Sequence, residues 1–214
     1  PFRNDTRAIG GKIVFNFPLR KAQELGYFRR INFKPVAVYD PRQVDEAIAR
    51  AAVDQLRSDC KQYDHILMAR VGSVERAREV FPIYQQYPEF NPVQLHTGVR
   101  SKRERDRIRQ QILERRSRIV VCVDMLGEGF DLPELKIAAF HDIRKSLAVT
   151  LQFAGRFVRS RADLGDATFI ANIADVRVRD ELRRLYASDA DWNVLLPQSS
   201  QQAIQKQVDL FEFV

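Results

Sequence analysis

The chain has little of what marks a secreted, membrane-spanning or metal-dependent protein. Its 214 residues hold two cysteines, Cys60 and Cys122, and neither belongs to a C-x-x-C pair. That excludes a disulfide framework and a cysteine zinc site, so a reducing, cytoplasmic setting and no bound metal are expected. No apolar run is long enough to span a bilayer, and no signal-peptide pattern opens the sequence. There is no G-x-x-x-x-G-K-[ST], and Gly10-Gly11-Lys12 lacks the flanking pattern that cradles phosphates. No G-x-G-x-x-G follows a strand pattern, which removes a dinucleotide-binding dehydrogenase. Methionine is missing at the first position, where Pro1 stands; a piece of a longer chain is the expectation.

What is present is an ordinary globular composition, 45% hydrophobic and 29% charged, long enough for one large domain with a substantial core. The formal charge is +7 and arginine greatly outnumbers lysine. A polyanionic partner fits that balance, although net charge alone specifies none.

Short apolar runs alternate with helical patterns. Strands are expected at 13–17, 29–39, 65–71, 93–96, 119–123, 137–140 and 168–173. Asp40-Pro41 with Gln43 reads as an N-cap and capping box opening a helix to about Ser58, buried through Val44, Ile48, Ala51, Ala52 and Leu56. Ser73 caps a helix reaching roughly Tyr87, and the S-x-x-E of Ser101 and Glu104 opens an arginine-rich helix to about Arg116. Shorter helices are expected over 19–25 and 178–186. Ile119 to Val123, IVVCV, is apolar throughout, as in a strand buried on both faces of a parallel sheet, and Cys122 reads there as a small core residue. The order predicts an α/β, doubly wound, mainly parallel sheet with helices on both faces.

In such sheets ligands meet the loops at the carboxyl ends of the strands. IVVCV runs straight into Asp124, Gly127, Gly129 and Asp131, glycines between carboxylates that can turn backbone amides to a ligand or simply make a tight turn. Past one more strand, Ser146 caps a helix. It carries Gln152, Arg156 and Arg159 at i, i+4 and i+7, on one face. Guanidinium forks suit a phosphoryl group; a solvated basic face is the plainer alternative. Glu104, Asp106 and Glu114 make the helix after Ser101 an ion-paired face as readily as an anion-binding one. His65 and His141, flanking strands, are expected to be structural.

The combination resembles the second RecA-like domain of superfamily 2 helicases, the DEAD/DEAH and type III restriction relatives. VDMLGEGFDLPEL is similar to their motif V, and QFAGRFVR matches the Q-x-x-G-R-x-x-R of motif VI. ILMARV resembles the region of motif IV, and LHTG with Ser101 the segment that holds a nucleic-acid backbone. Pro1-Phe2-Arg3 is similar to the residues after motif III. The resemblance covers most of the chain to about Ile173. It divides the chain into a segment following motif III with an interlobe linker at 1–40, a C-terminal RecA-like domain at 41–196, and a tail at 197–214.

The resemblance implies that Arg156 and Arg159 are arginine fingers reaching the γ-phosphate of ATP, with Gln152 orienting the water or phosphate. Gly127, Gly129 and Asp131 would lie at the nucleotide. Arg70, His96, Thr97, Gly98, Ser101 and Asp124 would contact the strand backbone. No D-E-x-[DH] box is present, since Asp45-Glu46 falls within an amphipathic helix. ATP and its Mg²⁺ would therefore be held by a preceding N-terminal lobe, and this part alone is not expected to hydrolyse ATP. Glu128, where the RNA enzymes commonly carry a basic residue, Phe153 at the motif VI opening and the PFRND start lean the expected strand toward DNA. The alternatives are a motor lobe of a restriction or repair nuclease, and a helicase-like binding module that has lost the motor.

Overall fold

A computed structural model of the chain describes residues 31–96, 98–99, 101–123, 132–142 and 162–174. Within them lie β1 (Ile31–Val36), α1 (Pro41–Asp59), β2 (Ile66–Val71), α2 (Val74–Gln85), β3 (Val93–Leu95), α3 (Lys102–Leu113), β4 (Ile119–Val123), β5 (Leu135–Phe140) and β6 (Ala167–Asn172). The strand expected at 13–17, the helices over 19–25, from Ser146 and over 178–186, and the tail at 197–214 lie outside the described residues.

The six strands form one sheet in the order β1-β6-β5-β2-β4-β3, and every pairing is parallel. Parallel neighbours need crossovers over a face, so both faces are covered and the central strands read as unbroken apolar runs. Side-chain alternation sorts them into two cores. Leu67, Ala69, Val71, Ile119, Val121, Ile137 and Ala139 pack beneath Ile48, Ala52 and Leu56 of α1 and Ala77, Val80 and Tyr84 of α2. Met68, Val120, Cys122, Ala138 and Phe140 face the other way, against Ile108 and Ile112 of α3. Each fully buried aliphatic side chain contributes about 1.5–3 kcal/mol from apolar burial. The RecA-like, doubly wound arrangement expected from the sequence is the one observed.

Local chemistry sets the helix ends. Asp40 caps α1 through a hydrogen bond donated by the Arg42 amide at 3.0 Å, with Pro41 at the first helical position. Gln43 reaches the Asp40 carboxylate at 3.5 Å rather than completing the usual capping box. Ser73 Oγ accepts from the Arg76 amide at 3.2 Å, and Ser101 Oγ from the Glu104 amide at 3.4 Å. A short 3-10 turn at Pro88–Phe90, unmarked in the sequence, ends on Asn91 with φ 46°; asparagine tolerates that left-handed conformation better than most residues. Ile31–Val36, expected to belong to the segment ending at residue 40, is a strand of this same sheet, in register with β6 and at its edge among the described residues. Pro35 fits a strand that, among the described residues, pairs on one side only.

Candidate functional site

Parallel strands end together, so the loops leaving β2, β3, β4 and β5 share one edge. The order β5-β2-β4-β3 puts the start of the 124–131 loop between the β2–α2 turn and the β3–α3 loop. The chain that leads to Gln152 departs from β5, on the other side of β2. Asp124, Gly127, Gly129, Asp131, Gln152, Arg156, Arg159 and Thr97 themselves lie outside the described residues.

Arg70, His96, Gly98 and Ser101 are described, and they divide into two pairs. Gly98 and Ser101 are exposed on the edge. Arg70 and His96 lie underneath, only 3% and 5% exposed. The Arg70 side chain reaches toward the backbone of the β5 exit, with Nη1 3.5 Å from the Asp142 carbonyl oxygen. His96 Nε2 lies 3.2 Å from Gln94 Oε1. Burial, and after it the charge of Arg78, pushes the His96 imidazole below the ordinary histidine range, so it is neutral near pH 7. In this conformation both residues support the edge from below; neither presents a charge to an open surface.

Gly98 shows why the support is tight. A Cβ at that position would stand 2.8 Å from His96 Nδ1 and 2.9 Å from Val74 Cγ1. The absent side chain lets the β3–α3 loop close on the first turn of α2, across the end of β4. Ser101 opens α3, whose first turn faces the same edge. Further along, Arg107 pairs with Glu104 at 3.8 Å and Arg109 with Asp106 at 3.5 Å, all well exposed. The body of that helix is the ion-paired face that its composition suggested.

A charged cluster that no single segment of the sequence marks stands beside these loops. Arg76 in the first turn of α2 donates from Nη2 to both oxygens of Asp45 at 2.9 and 2.8 Å. Its Nη1 donates to Glu79 at 2.6 Å and its Nε lies 3.3 and 3.2 Å from the Asp142 carboxylate. Asp142 Oδ2 also accepts the Gly72 amide at 2.9 Å. His141 Nδ1 donates to Asp45 Oδ1 at 2.8 Å, and the Tyr84 hydroxyl lies 2.9 Å from its Nε2. Burial opposes charge on Asp45, but His141 and then Arg76 outweigh it and hold the carboxyl below the usual aspartate range. Burial, followed by the Asp45 charge, pushes the Tyr84 phenol well up. His141 is thus structural, as expected. The available signal was Asp45, read only as a polar residue of an amphipathic helix.

Among the described residues, no group of three or more His, Cys, Asp or Glu side chains is arranged to hold a metal ion. No described helix is long and apolar enough to cross a membrane.

Comparison with known proteins agrees with this geometry. Residues 50–161 match the family described as the helicase conserved C-terminal domain, about half of the chain. DEAD-box ATP-dependent RNA helicase 15 of Arabidopsis thaliana is 28% identical over 119 residues, 56% of this chain and 27% of that protein. The aligned part is thus about a quarter of that curated relative's length. Domain 2 of the DEAD-box helicase Mss116p bound to an RNA duplex superposes with a TM-score of 0.55 at 16% identity, over 72% of this chain and 59% of that one. S. cerevisiae Dbp5 bound to RNA and ADP BeF3 gives 0.56 at 13% identity, over 89% of this chain and 48% of that one. At such identities the superpositions establish the RecA-like fold, and the family match establishes the rest: this chain belongs to the helicase conserved C-terminal domain family.

Proposed function

We propose that the chain is the trailing lobe of an ATP-driven nucleic-acid motor, contacting the strand and completing a nucleotide site held by an N-terminal lobe. One observation carries the reading. Gly98 and Ser101, in the segment similar to the family's strand-holding motif, share a sheet edge with the starts of the loops leading to Asp131 and to Arg159. A chain that must respond to a strand and to a nucleotide together needs both sets of residues on one rigid edge.

The parts divide as follows. The Ser101-capped start of α3, with Gly98 beside it, offers backbone amides to strand phosphates, while Asp124 lies on the neighbouring loop. Arg70 and His96 hold that edge from beneath, and Thr97 completes the segment. Gly127, Gly129 and Asp131 are the residues we assign to the nucleotide. Two guanidiniums and an amide at i, i+4 and i+7 in the sequence form a donor set suited to a γ-phosphate. ATP with Mg²⁺, bound by the other lobe, supplies the phosphoryl group. Arg156 and Arg159 stabilise the charge that develops on it, and Gln152 orients the water or phosphate. Residues supplied from one lobe to a nucleotide on the other make hydrolysis depend on closure.

RNA is the strand we propose, because the curated relative named above is an RNA helicase. DNA, toward which Glu128 and Phe153 leaned, is the competing substrate, and the cytoplasm is the proposed setting.

The test is steady-state ATP hydrolysis by the two-lobed protein, alone and with single- and double-stranded RNA and DNA. Stimulation by RNA over DNA supports the reading, and stimulation by DNA alone replaces the strand. A near-zero rate under every condition overturns the motor and leaves a binding module. Binding of the strand should also weaken steeply with added salt.

A further inference from the structure

We propose that Arg76 and Asp142 form a joint that couples strand contact at Gly98 and Ser101, whose loop closes on Val74 in the first turn of α2, to the chain segment leading to Gln152, Arg156 and Arg159. It thereby sets how strongly a strand stimulates hydrolysis, an inference that rests on the motor reading above.

Asp142 stands at the exit of β5, ten residues before Gln152. β5 and β2 are neighbours, in register through Arg70 and Phe140, and the His141 amide donates to the Arg70 carbonyl at 3.0 Å to add one more rung. At that point one carboxylate joins two loops. Its Oδ2 accepts the Gly72 amide at 2.9 Å, and Gly72 precedes Ser73, the cap of α2. The same group meets Arg76 Nε at 3.2 Å. A shift of the Gly72-Ser73 turn therefore pulls directly on the Asp142 carboxylate at the β5 exit.

Arg76 keeps this joint stiff. Its guanidinium engages Asp45, Glu79 and Asp142 together, three carboxylates around one cation. A planar fork with fixed donor directions does this, whereas a lysine ammonium has neither the reach nor the geometry. Without the arginine, Asp45 and Asp142 would be left with like charges and no shared counterion. The core does not need the Asp142 contacts to place this edge, because the wholly buried His141 ring already ties β5 to α1 and α2 through Asp45 and Tyr84. The Asp142 carboxylate instead binds an exposed turn.

These are positioning residues, and their test separates turnover from binding. In the two-lobed protein, Asp142→Asn and Arg76→Lys are compared with the parent while RNA and ATP are varied independently and the thermal midpoint is recorded. The expected result is a fall of about tenfold in kcat at saturating RNA, within the range of ordinary site-to-site coupling. KM for ATP and the half-saturating RNA concentration stay within about twofold. Asp142→Asn, which keeps the side-chain shape, provides the folded variant if Arg76→Lys unfolds. An unchanged kcat at saturating RNA in the folded variants overturns the joint and leaves the motor reading standing. A loss appearing only in KM or in the half-saturating RNA concentration also overturns it. A parent protein that no nucleic acid stimulates overturns the motor reading and the joint together.

Discussion

The two ends of α1 carry the same device and put it to different ends. Each end offers an aspartate to a buried histidine on a strand flank: Asp45 to His141 at 2.8 Å, and Asp59 to His65 at 2.8 Å. Because α1 crosses back over the sheet, Asp45 lies at the carboxyl edge of the strands and Asp59 at the amino edge. At the amino edge the chain of contacts closes on itself. His65 Nε2 lies 2.6 Å from the Leu164 carbonyl, Tyr63 stacks on the ring at 4.9 Å, and Gly165, at φ +64°, lets the turn before β6 fold against Tyr63. At the carboxyl edge the contacts run outward, from Asp45 to Arg76, to Asp142, and to the amide of a surface turn. A pair that ends on a backbone carbonyl fastens the fold; one that ends on a loop can report what the loop touches.

The largest effect expected lies beyond both pairs. Arg159→Ala should lower the ATPase kcat of the two-lobed protein about 10³-fold, the scale of an arginine finger, with the thermal midpoint unchanged. An undiminished rate removes Arg159 from that role and leaves Arg156 alone to carry it.

Next comes the amino-edge pair. His65→Ala takes a partner from the half-buried Asp59 carboxylate, leaves the buried Leu164 carbonyl without its imidazole and opens a cavity beside Tyr63, and should cost about 3 kcal/mol of stability. Chemical denaturation measures it. Hydrolysis per folded molecule should stay at the parent rate. A specific loss of kcat there would mean that the two ends of α1 do not differ as described.

The carboxyl-edge counterpart is smaller at neutral pH and carries a pH signature. Asp45→Asn keeps the shape and removes a charge shared by His141 and Arg76, at a cost of about 1–2 kcal/mol. Since the folded carboxyl is held below the usual range, its contribution is full above the unfolded value, near 3.9, and is lost as pH falls through the lower folded value. The variant should therefore lose stability less steeply than the parent below about pH 4. Equal acid slopes would show that Asp45 titrates alike in both states.

How much of this was legible beforehand follows from how local each cause is. The caps at Asp40, Ser73 and Ser101 act within three residues, and the apolar run of β4 declares its two-sided burial by itself, so both were readable. The motif around Arg156 and Arg159 is likewise a pattern on one segment, but it lies outside the described residues. The Asp45–Arg76–Asp142 cluster was not readable, because residues 31 and 66 positions apart meet only once β5 has paired beside β2. Nor did spacing reveal that Arg70 and His96 lie under the edge: strand alternation gives a side chain's face, whereas its depth depends on which loops close over it.

The smallest effect expected tests that question of depth on α3. Its first turn, at Ser101, lies on the edge, while Arg107 and Arg109 lie further along among their own acidic partners. Exposed i,i+3 pairs are worth about 0–0.5 kcal/mol, so Arg107→Ala and Arg109→Ala should leave the unfolding midpoint nearly unchanged. Strand binding decides what else they do. A residue on a phosphate contributes about one unit to the slope of log affinity against log salt. If the helix body only solvates itself, both variants keep the parent slope, whereas replacing Lys102 or Arg103 in the first turn lowers it. A slope that drops with Arg107 as well would extend the strand path down the helix, and the carboxyl edge would then be one part of a longer basic track.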